Sequence, residues 1–477
     1  MTISTDEAQN ITELKRIFPL QKDAFNQHPY PNYDERRADL EKLKEMVLKY
    51  QAELLRAMSD DFGFRSDGDS RIGDFLTTIK GIKYCLRELK GWMKPSLRKV
   101  ELVYKPAENY VLYQPVGVVG LMGCWNYPIF ESFEHLAWIL AAGCRCLIKG
   151  SEFVPSTFQV SRRAVAEFFD ETKLAFIEGE IEVAEAFTAL PFDHILVTGS
   201  PNVGKLVMRA AAANLTPVTL ELGGKCPLVI DNEIKIETAV TRFILGKTIN
   251  AGQTCVAPDY VFCPENRVEE LKDEIQKRFN MMYPDFANNH DWTSILNERQ
   301  YRRLLGYLDD ARSKGAEITA LAEIDEVTQD RLRKMPLHLL TSVTEDMTIM
   351  QEEIFGPLLP ILTYTDLETV ISYIQERPRP LALYINSFNE EFQESLLKHT
   401  HSGGVCINEA AFHVAQEDLP FGGIGNSGMG RIHGKEGFRT FSNQKAVFHK
   451  GKISLSDKFF PPFGSKIHKF LTKVLIR

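Results

Sequence analysis

The sequence predicts an α/β fold of two doubly wound parallel-sheet lobes, and three observations carry that prediction. Short apolar runs alternate with amphipathic stretches from Val116 onward, a second alternating series starts near residue 227, and the first hundred residues carry helical periodicity. Parallel strands need a crossover between neighbours, so strand, helix, strand, helix is the pattern such a sheet leaves in a chain. In chain order, DERRADLEKLKEMVLKYQAELLRAMSDDFG places apolar residues at helical spacing over a long run. GVVGLMG, RCLIKG, LAFIEG and HILVTG then read as strands, and ESFEHLAWILAAG, STFQVSRRAVAEFF and IEVAEAFTAL as the helices between them. PLVIDN near 227, LALYINS at 381 and GGVCIN at 403 mark the second lobe, with helices such as NRVEELKDEIQKRF between. No repeat, low-complexity tract or flexible linker separates the lobes, so they are expected to pack on each other.

Composition narrows the function. The 477 residues suffice for about two to four domains, and a formal net charge of -8 argues against a polyanionic partner, so no nucleic acid is expected. The eight cysteines, Cys85, Cys124, Cys144, Cys146, Cys226, Cys255, Cys263 and Cys406, form no C-x-x-C pair and no ligand spacing with histidine. That reads as a reducing compartment and no metal. Cys144 and Cys146 share a face if they lie on a strand, and read as small buried residues. The most apolar stretch, LAWILAAG at 136–143, is far too short to span a bilayer, and no signal peptide opens the chain, so cytoplasmic residence is expected.

VTGSPNVGKL, residues 197–206, begins like a phosphate-cradling loop and matches no standard version of one. Leu206 stands where a Walker-type loop needs a hydroxyl for magnesium, and after Gly199 the next glycine is Gly204, so the G-x-G-x-x-G fingerprint fails too. Its context is still a strand, a turn and a helix N-terminus. Ser200 is a good N-cap, Pro201 suits the first helical position, and Val203, Leu206, Val207, Ala210 and Ala211 form one apolar helix face. Backbone N–H groups at such a terminus face an anion, and a dinucleotide fits better than a magnesium nucleotide. Gly199 as a plain tight turn is the competing reading.

Two stretches downstream add chemistry. VTLELGGKCP ends a strand with Glu221 beside two glycines, where a carboxylate has no obvious packing reason to sit, and NAGQTCVAPDYV places Cys255 after a flexible Asn-Ala-Gly turn between a helix, ETAVTRFILGKT, and a strand. A lone cysteine at such a junction is usually inert. Together, a thiol, a carboxylate and a dinucleotide loop support covalent capture of a carbonyl, hydride removal and hydrolysis of the thioester.

PVGVVGLMGCWNYP, the VTGS turn, LELGGK, GQTC, QEEIFGP and PFGGIGNSGMGRIHGKEGF, in that order over nearly the whole chain, make it resemble an aldehyde dehydrogenase, most of all the coniferyl aldehyde and class 3 branch. The resemblance implies Cys255 as nucleophile, Glu221 as general base and Asn126 as side-chain donor to the oxyanion. It implies NAD, with NADP as an alternative, held by Lys149 and Glu152 at the ribose, by Gly199, Ser200 and Gly204 on the phosphate side, and by Glu353 and Phe355 at the nicotinamide ribose. A carboxylate at Glu152 favours a free 2'-hydroxyl and repels a 2'-phosphate. The Rossmann-style reading would instead put Glu221 on the ribose. By resemblance, residues 5–96 and 117–224 form the cofactor domain and 225–439 the catalytic domain. Residues 97–116 and 440–452 then form a small β oligomerisation element, and a homodimer follows.

The chain departs from the family at Gly150, usually proline, and at Cys144, commonly asparagine, which puts cofactor affinity in question. Besides dehydrogenation of an apolar aldehyde, aromatic or fatty, two readings stay open: a cofactor-independent Cys-Glu esterase and a catalytically silent structural protein on the same scaffold. His413 and His433 read as structural. The tail, 453–477, ends in a basic amphipathic stretch with Ile467, Phe470, Leu471, Val474 and Leu475 on one stripe and Lys466, Lys469, Lys473 and Arg477 off it. Docking on the protein near the substrate entrance is expected, ahead of binding to an anionic membrane surface.

Overall fold

The computed structural model describes residues 4–454 and 460–476. The long helix Tyr33–Phe62 starts where the sequence allows it. Asn32 accepts from the amides of Asp34 (2.9 Å) and Glu35 (3.1 Å), and the Glu35 carboxylate returns to the Asn32 amide at 2.6 Å. This reciprocal box satisfies N-terminal donors that the helix itself cannot. Leu40, Leu43, Val47, Leu54 and Met58 bury one face of that helix.

Strands β1 (Ser96–Arg98) and β2 (Ala107–Pro115) precede the first lobe. Its sheet contains β3 (Val118–Met122), β4 (Arg145–Lys149), β5 (Leu174–Ile177), β6 (His194–Gly199) and β7 (Val218–Leu222). The second lobe holds β8 (Cys226–Ile230), β9 (Pro258–Pro264), β10 (Glu317–Ala320), β11 (His338–Thr341), β12 (Leu358–Tyr364), β13 (Ala382–Asn386) and β14 (Gly404–Ile407). Two later strands, β15 (Gly428–Met429) and β16 (Ser442–Lys450), leave that lobe. The six-stranded sheet has the order β15-β7-β6-β3-β4-β5, parallel except for β15, and the seven-stranded sheet the order β10-β11-β12-β9-β8-β13-β14, parallel except for β10. Near-continuous apolar runs such as VVGLM in β3 and CPLVI in β8 are buried throughout or nearly so, as strands covered by helices on both faces must be.

The first sheet reverses direction of winding between β3 and β6, and a crevice opens at the carboxyl ends there, the usual ligand position in such sheets. A third, antiparallel sheet, β1-β2-β16, joins distant parts of the chain by pairing β2 with β16 from Ala107↔Lys450 to Pro115↔Ser442.

Two expectations change. The helix after the VTGS turn, Pro201–Ala212, does start on Ser200, whose Oγ accepts from the Val203 amide at 3.4 Å. Its five-residue apolar face nevertheless splits. Val207 and Ala211 are buried, whereas Val203 is 37% and Leu206 62% exposed, because the crevice rather than the core lies beside them. The tail forms the expected helix, Lys466–Leu475, but its stripe is not docked on the chain: Ile467, Phe470 and Val474 are exposed. The side chains of Leu471 and Leu475, and Arg477, lie outside the described residues.

Candidate active site

Between the two larger sheets lies a cavity of about 1520 Å³ lined by Cys255, Glu221 and Asn126 together with Lys149, Glu152, Gly199, Ser200, Glu353 and Phe355. Residues scattered over more than two hundred positions therefore meet in one space.

Cys255 follows a turn read from the sequence as flexible, and the structure corrects that reading. Asn250 (φ 52°), Ala251 (φ 51°) and Gly252 (φ 73°) adopt the left-handed region and are fully buried. A Cβ at position 252 would sit 2.6 Å from the Gly356 carbonyl oxygen, so only glycine fits there. The Gln253 amide nails the loop in place: Nε2 donates to the carbonyls of Asn250 and Ser294 (3.1 Å each) and Oε1 accepts from the Leu296 amide at 2.9 Å. Burial pushes the Cys255 thiol well above the ordinary range, with Glu131 and Glu353 adding to the effect. The resting group is a thiol, and it needs a base or a positive charge to become a nucleophile.

Asn126 lies just past the end of β3 and is 1% exposed. Its Nδ2 donates to the Gln253 carbonyl at 3.2 Å, and its own carbonyl accepts from Arg65 Nη1 (2.7 Å) and Asn250 Nδ2 (3.0 Å). Arg65 in turn meets Asp74 at 2.7 Å with both side chains fully buried, while the other oxygen of Asp74 accepts from the amides of Ile129 and Phe130 at 3.1 Å each. The chain around Asn126 is thus clamped from three directions. Nothing in the sequence pattern singles out Arg65 or Asp74, because their role depends on contacts 55 or more residues away.

Glu221 stands on β7, beside Thr198 of β6 and Gly428 of β15 in the ladder. Among the described residues neither carboxylate oxygen has a hydrogen-bond partner, and burial raises its pKa well above the ordinary value, with Glu131 raising it further and Arg431 opposing. A Cβ on Gly422 would lie 2.9 Å from Glu221 Oε1, so the glycines of PFGGIGNSGMG keep room around this carboxyl. A buried acid without a partner costs stability, and such groups concentrate where chemistry uses them.

At the opposite end of the cavity, the Lys149 ammonium is buried and lies 3.3 Å from Glu152, whose side chain is 32% exposed. Gly199 and Ser200 present the helix N-terminus. Ile181 and Leu206, 66% and 62% exposed, offer apolar walls to a planar group. Gly204 does not line the cavity: a Cβ there would meet Leu222 Cδ1 at 2.8 Å, so its small size serves the approach of helix to β7. Glu353 is packed so closely on Gly223 that a Cβ there would fall 2.0 Å from its Oε2, and burial pushes its carboxyl up to about 8. Phe355 has φ 47° and meets Trp125 edge to face at 5.2 Å. Arg303 holds this segment through the carbonyls of Glu353 (3.3 Å) and Ile354 (2.8 Å), a brace that no motif announces.

The chain matches the family described as "Aldehyde dehydrogenase family" over residues 2–447. It is 45% identical to the "Probable coniferyl aldehyde dehydrogenase" of Pseudomonas aeruginosa, over 98% of each chain. Its structure is similar to that of AldH from Staphylococcus aureus in a substrate-bound state, with a TM-score of 0.92 and 36% identity over 97% of this chain and 99% of that one. It is also similar to an aldehyde dehydrogenase of Mycobacterium tuberculosis complexed with NAD+, with a TM-score of 0.83 and 26% identity over 93% and 92%.

Proposed function

The chain belongs to the aldehyde dehydrogenase family and oxidises aldehydes with NAD(P), and from that premise we propose that Cys255, Glu221 and Asn126 carry the chemistry on an aromatic, coniferyl-like aldehyde. The single observation that supports these roles most is their convergence in one cavity whose far end carries a helix N-terminus, a buried lysine and two apolar walls. Those features suit a dinucleotide: the N-terminus at Ser200 would meet a pyrophosphate, Lys149 and Glu152 would hold a ribose, and Ile181 and Leu206 would flank the base. Glu353 and Phe355, which line the same cavity, would hold the nicotinamide ribose. Trp125 and Phe421, which line the cavity next to Asn126 and Gly422, support an aromatic substrate.

Cys255 sulfur bonds to the aldehyde carbon as its proton passes to solvent in the cavity, and the oxygen becomes an oxyanion. The Asn126 amide, freed from Gln253, donates to it; one donor of this kind is typically worth about 10²- to 10³-fold in rate. NAD(P), when bound, would supply the hydride acceptor, and loss of hydride from the carbon would leave a thioester on Cys255. Glu221 then takes a proton from water as the water oxygen bonds to the thioester carbon. The C–S bond breaks and the acid leaves.

We also assign domains at 5–96 with 117–224, at 225–439, and at 97–116 with 440–452. Leu97 (80% exposed), Leu102 (81%) and Phe448 (55%) on and beside the three-stranded sheet favour its burial against a second copy as a homodimer. Eight free cysteines suit the cytoplasm, and no described helix is long and apolar enough to cross a membrane.

The test follows NADH absorbance and acid formation over a panel of aldehydes. Cys255→Ala should abolish dehydrogenase and esterase turnover while NAD still binds. Glu221→Gln should give one equivalent of NADH per site and almost no acid; weakened NAD binding with normal acid formation would instead put Glu221 on the ribose.

A further inference from the structure

Behind Glu221 the protein buries a series of titratable side chains that the reaction above does not use. The chain after Asn126 enters a π-helical turn, Phe130–Glu134, and continues as the helix His135–Ala142. Such wide turns re-aim side chains and recur at functional sites. Here the turn points Glu131 into the active cavity, where its Oε2 accepts from Thr198 Oγ1 at 2.8 Å, and Thr198 is the ladder neighbour of Glu221. His135 Nε2 lies 3.7 Å from the same Glu131 oxygen and 3.8 Å from Glu134 Oε2. Glu134 Oε1 in turn lies 3.0 Å from His433 Nε2, with both side chains fully buried. Glu417, half-buried, comes next, its carbonyl accepting from the Gly434 amide at 2.7 Å beside His433.

We propose that Glu131, His135, Glu134 and His433 form a buried path that carries the proton captured by Glu221 away from the cavity to Glu417 near the surface. The proposal rests on Glu221 as the base in thioester hydrolysis. In that step the water oxygen bonds to the carbonyl carbon, one water proton goes to Glu221, and the Cys255 sulfur leaves. The leaving thiolate takes one proton back to restore the resting thiol, but oxidation of an aldehyde to a carboxylate by NAD+ and water releases two protons per turnover in all, so the site must still pass protons out, through Glu221, before the next turnover. A chain of carboxyls and imidazoles offers an exit that does not cross the end of the cavity carrying Lys149, Glu152 and Ser200.

The electrostatics fit a path that passes protons without storing charge. Burial pushes Glu131 up to about 8, Glu134 and Asp74 adding to the rise and Thr198 opposing it. Burial raises Glu134 as well, lowers His135 to about 3, with the charge of His433 contributing, and lowers His433 to about 4. Glu417, raised to about 7 by burial and by Glu134, with Lys80 and Arg87 opposing, is poised to exchange with water at neutral pH. The groups facing Glu131 are Thr198 on β6, Glu221 on β7, Asp74 on the neighbouring helical segment, Glu134 and His135 on its own segment, and the Cys124 and Cys255 thiols. A structural role alone leaves three buried carboxyls, Glu221, Glu131 and Glu134, without a common reason.

Rapid-quench measurement of NADH and acid separates the outcomes in the intact enzyme. Glu131→Gln keeps the shape and the Thr198 contact but cannot relay a proton. It is expected to form one equivalent of both NADH and acid at the wild-type rate, then to turn over about tenfold more slowly. Because a charge on Glu131 opposes ionisation of Glu221, the rising limb of the first-turnover acid rate against pH should move to lower pH in this variant. Glu134→Gln, further along, should show the same burst and slow steady state. An unchanged steady state in Glu131→Gln, or a slow first turnover of acid, overturns the path. So does a slowed dissociation of NADH, or a Glu134→Gln enzyme that turns over normally. Failure of Glu221 itself as the base has a different signature, an acid burst that survives in Glu221→Gln.

Discussion

The two ends of the cavity are built on opposite principles. Around Cys255 and Asn126 the chain is buried, left-handed where it must turn, and held by side chains from distant segments: Gln253, Asn250, Arg65 and Asp74. Around Lys149, Glu152, Ser200 and Leu206 the contacts are few and, the buried Lys149 apart, the side chains are partly or fully exposed, with one 3.3 Å pair between Lys149 and Glu152. Reacting atoms need placement to a fraction of an ångström, and a misplacement of about 1 Å can cost about 10²-fold in rate. A cofactor held over a long surface tolerates looser neighbours, since many contacts share the binding energy. Substitution at the reacting end should therefore hurt both folding and rate, and at the cofactor end it should move preference only.

Arg65→Met tests the first half of this contrast and carries the largest expected effect. It removes the donor to the Asn126 carbonyl and leaves Asp74 buried without its cation. Breaking a buried pair from one side typically costs about 3 to 5 kcal/mol. A denaturant midpoint lowered accordingly, with kcat down about 10²-fold and NAD affinity nearly unchanged, is the expected result. Normal kcat in the folded fraction would show that Asn126 does not depend on this clamp.

Legibility divides along the same line. Placement was readable where a residue sits at a sequence-local landmark: Cys255 after the turn and before β9, Glu221 near the end of β7, Ser200 as the cap. Residues that act through a partner far along the chain were not. Arg65, Gln253 and Arg303 are ordinary polar residues until folding brings them to carbonyls that need donors, and Glu131 reads as the polar start of a helix until the π-helical turn aims it inward. The Asn-Ala-Gly turn looked flexible because its residue types permit many conformations, and tertiary hydrogen bonds select one. Leu206 looked like core because periodicity reports a helix face without saying what lies opposite, here a ligand crevice. The alternation of strand and helix survives such errors, since it repeats over a dozen elements and depends on no single contact.

Glu152→Gln probes the looser end. Its carboxylate is partly exposed and its contact with Lys149 is long, so losing the charge should relax discrimination against a 2'-phosphate without harming the fold. An exposed charge contact is worth at most ~1 kcal/mol, so the NADP-to-NAD ratio of kcat/KM should rise about fivefold. A ratio that stays put would take Glu152 out of the ribose site, and a collapse of kcat would mean that the two ends are not built differently.

The smallest effect is expected farthest from the braced centre, at the C-terminal helix Lys466–Leu475. It is capped by Ser465, whose Oγ accepts from the His468 amide at 3.2 Å, and it shows Ile467 (46%), Phe470 (64%) and Val474 (57%) to solvent, with Lys466, Lys469 and Lys473 off that stripe. An apolar stripe of this size gains by being covered, and a cover near the cavity mouth would narrow the entrance without touching the cofactor. Deleting residues 464–477 should therefore change the kcat/KM ratio of short to bulky aldehydes by about two- to threefold, the scale of the few tenths of a kcal/mol expected from one peripheral contact. NAD affinity and the unfolding midpoint of the body should stay as they are. A basic stripe can also lie on an anionic bilayer, where each lysine near the surface contributes about 1 kcal/mol at most. Co-sedimentation of the full chain with phosphatidylserine vesicles, lost on deletion and in high salt, together with an unaltered selectivity ratio, would make lipid rather than protein the cover.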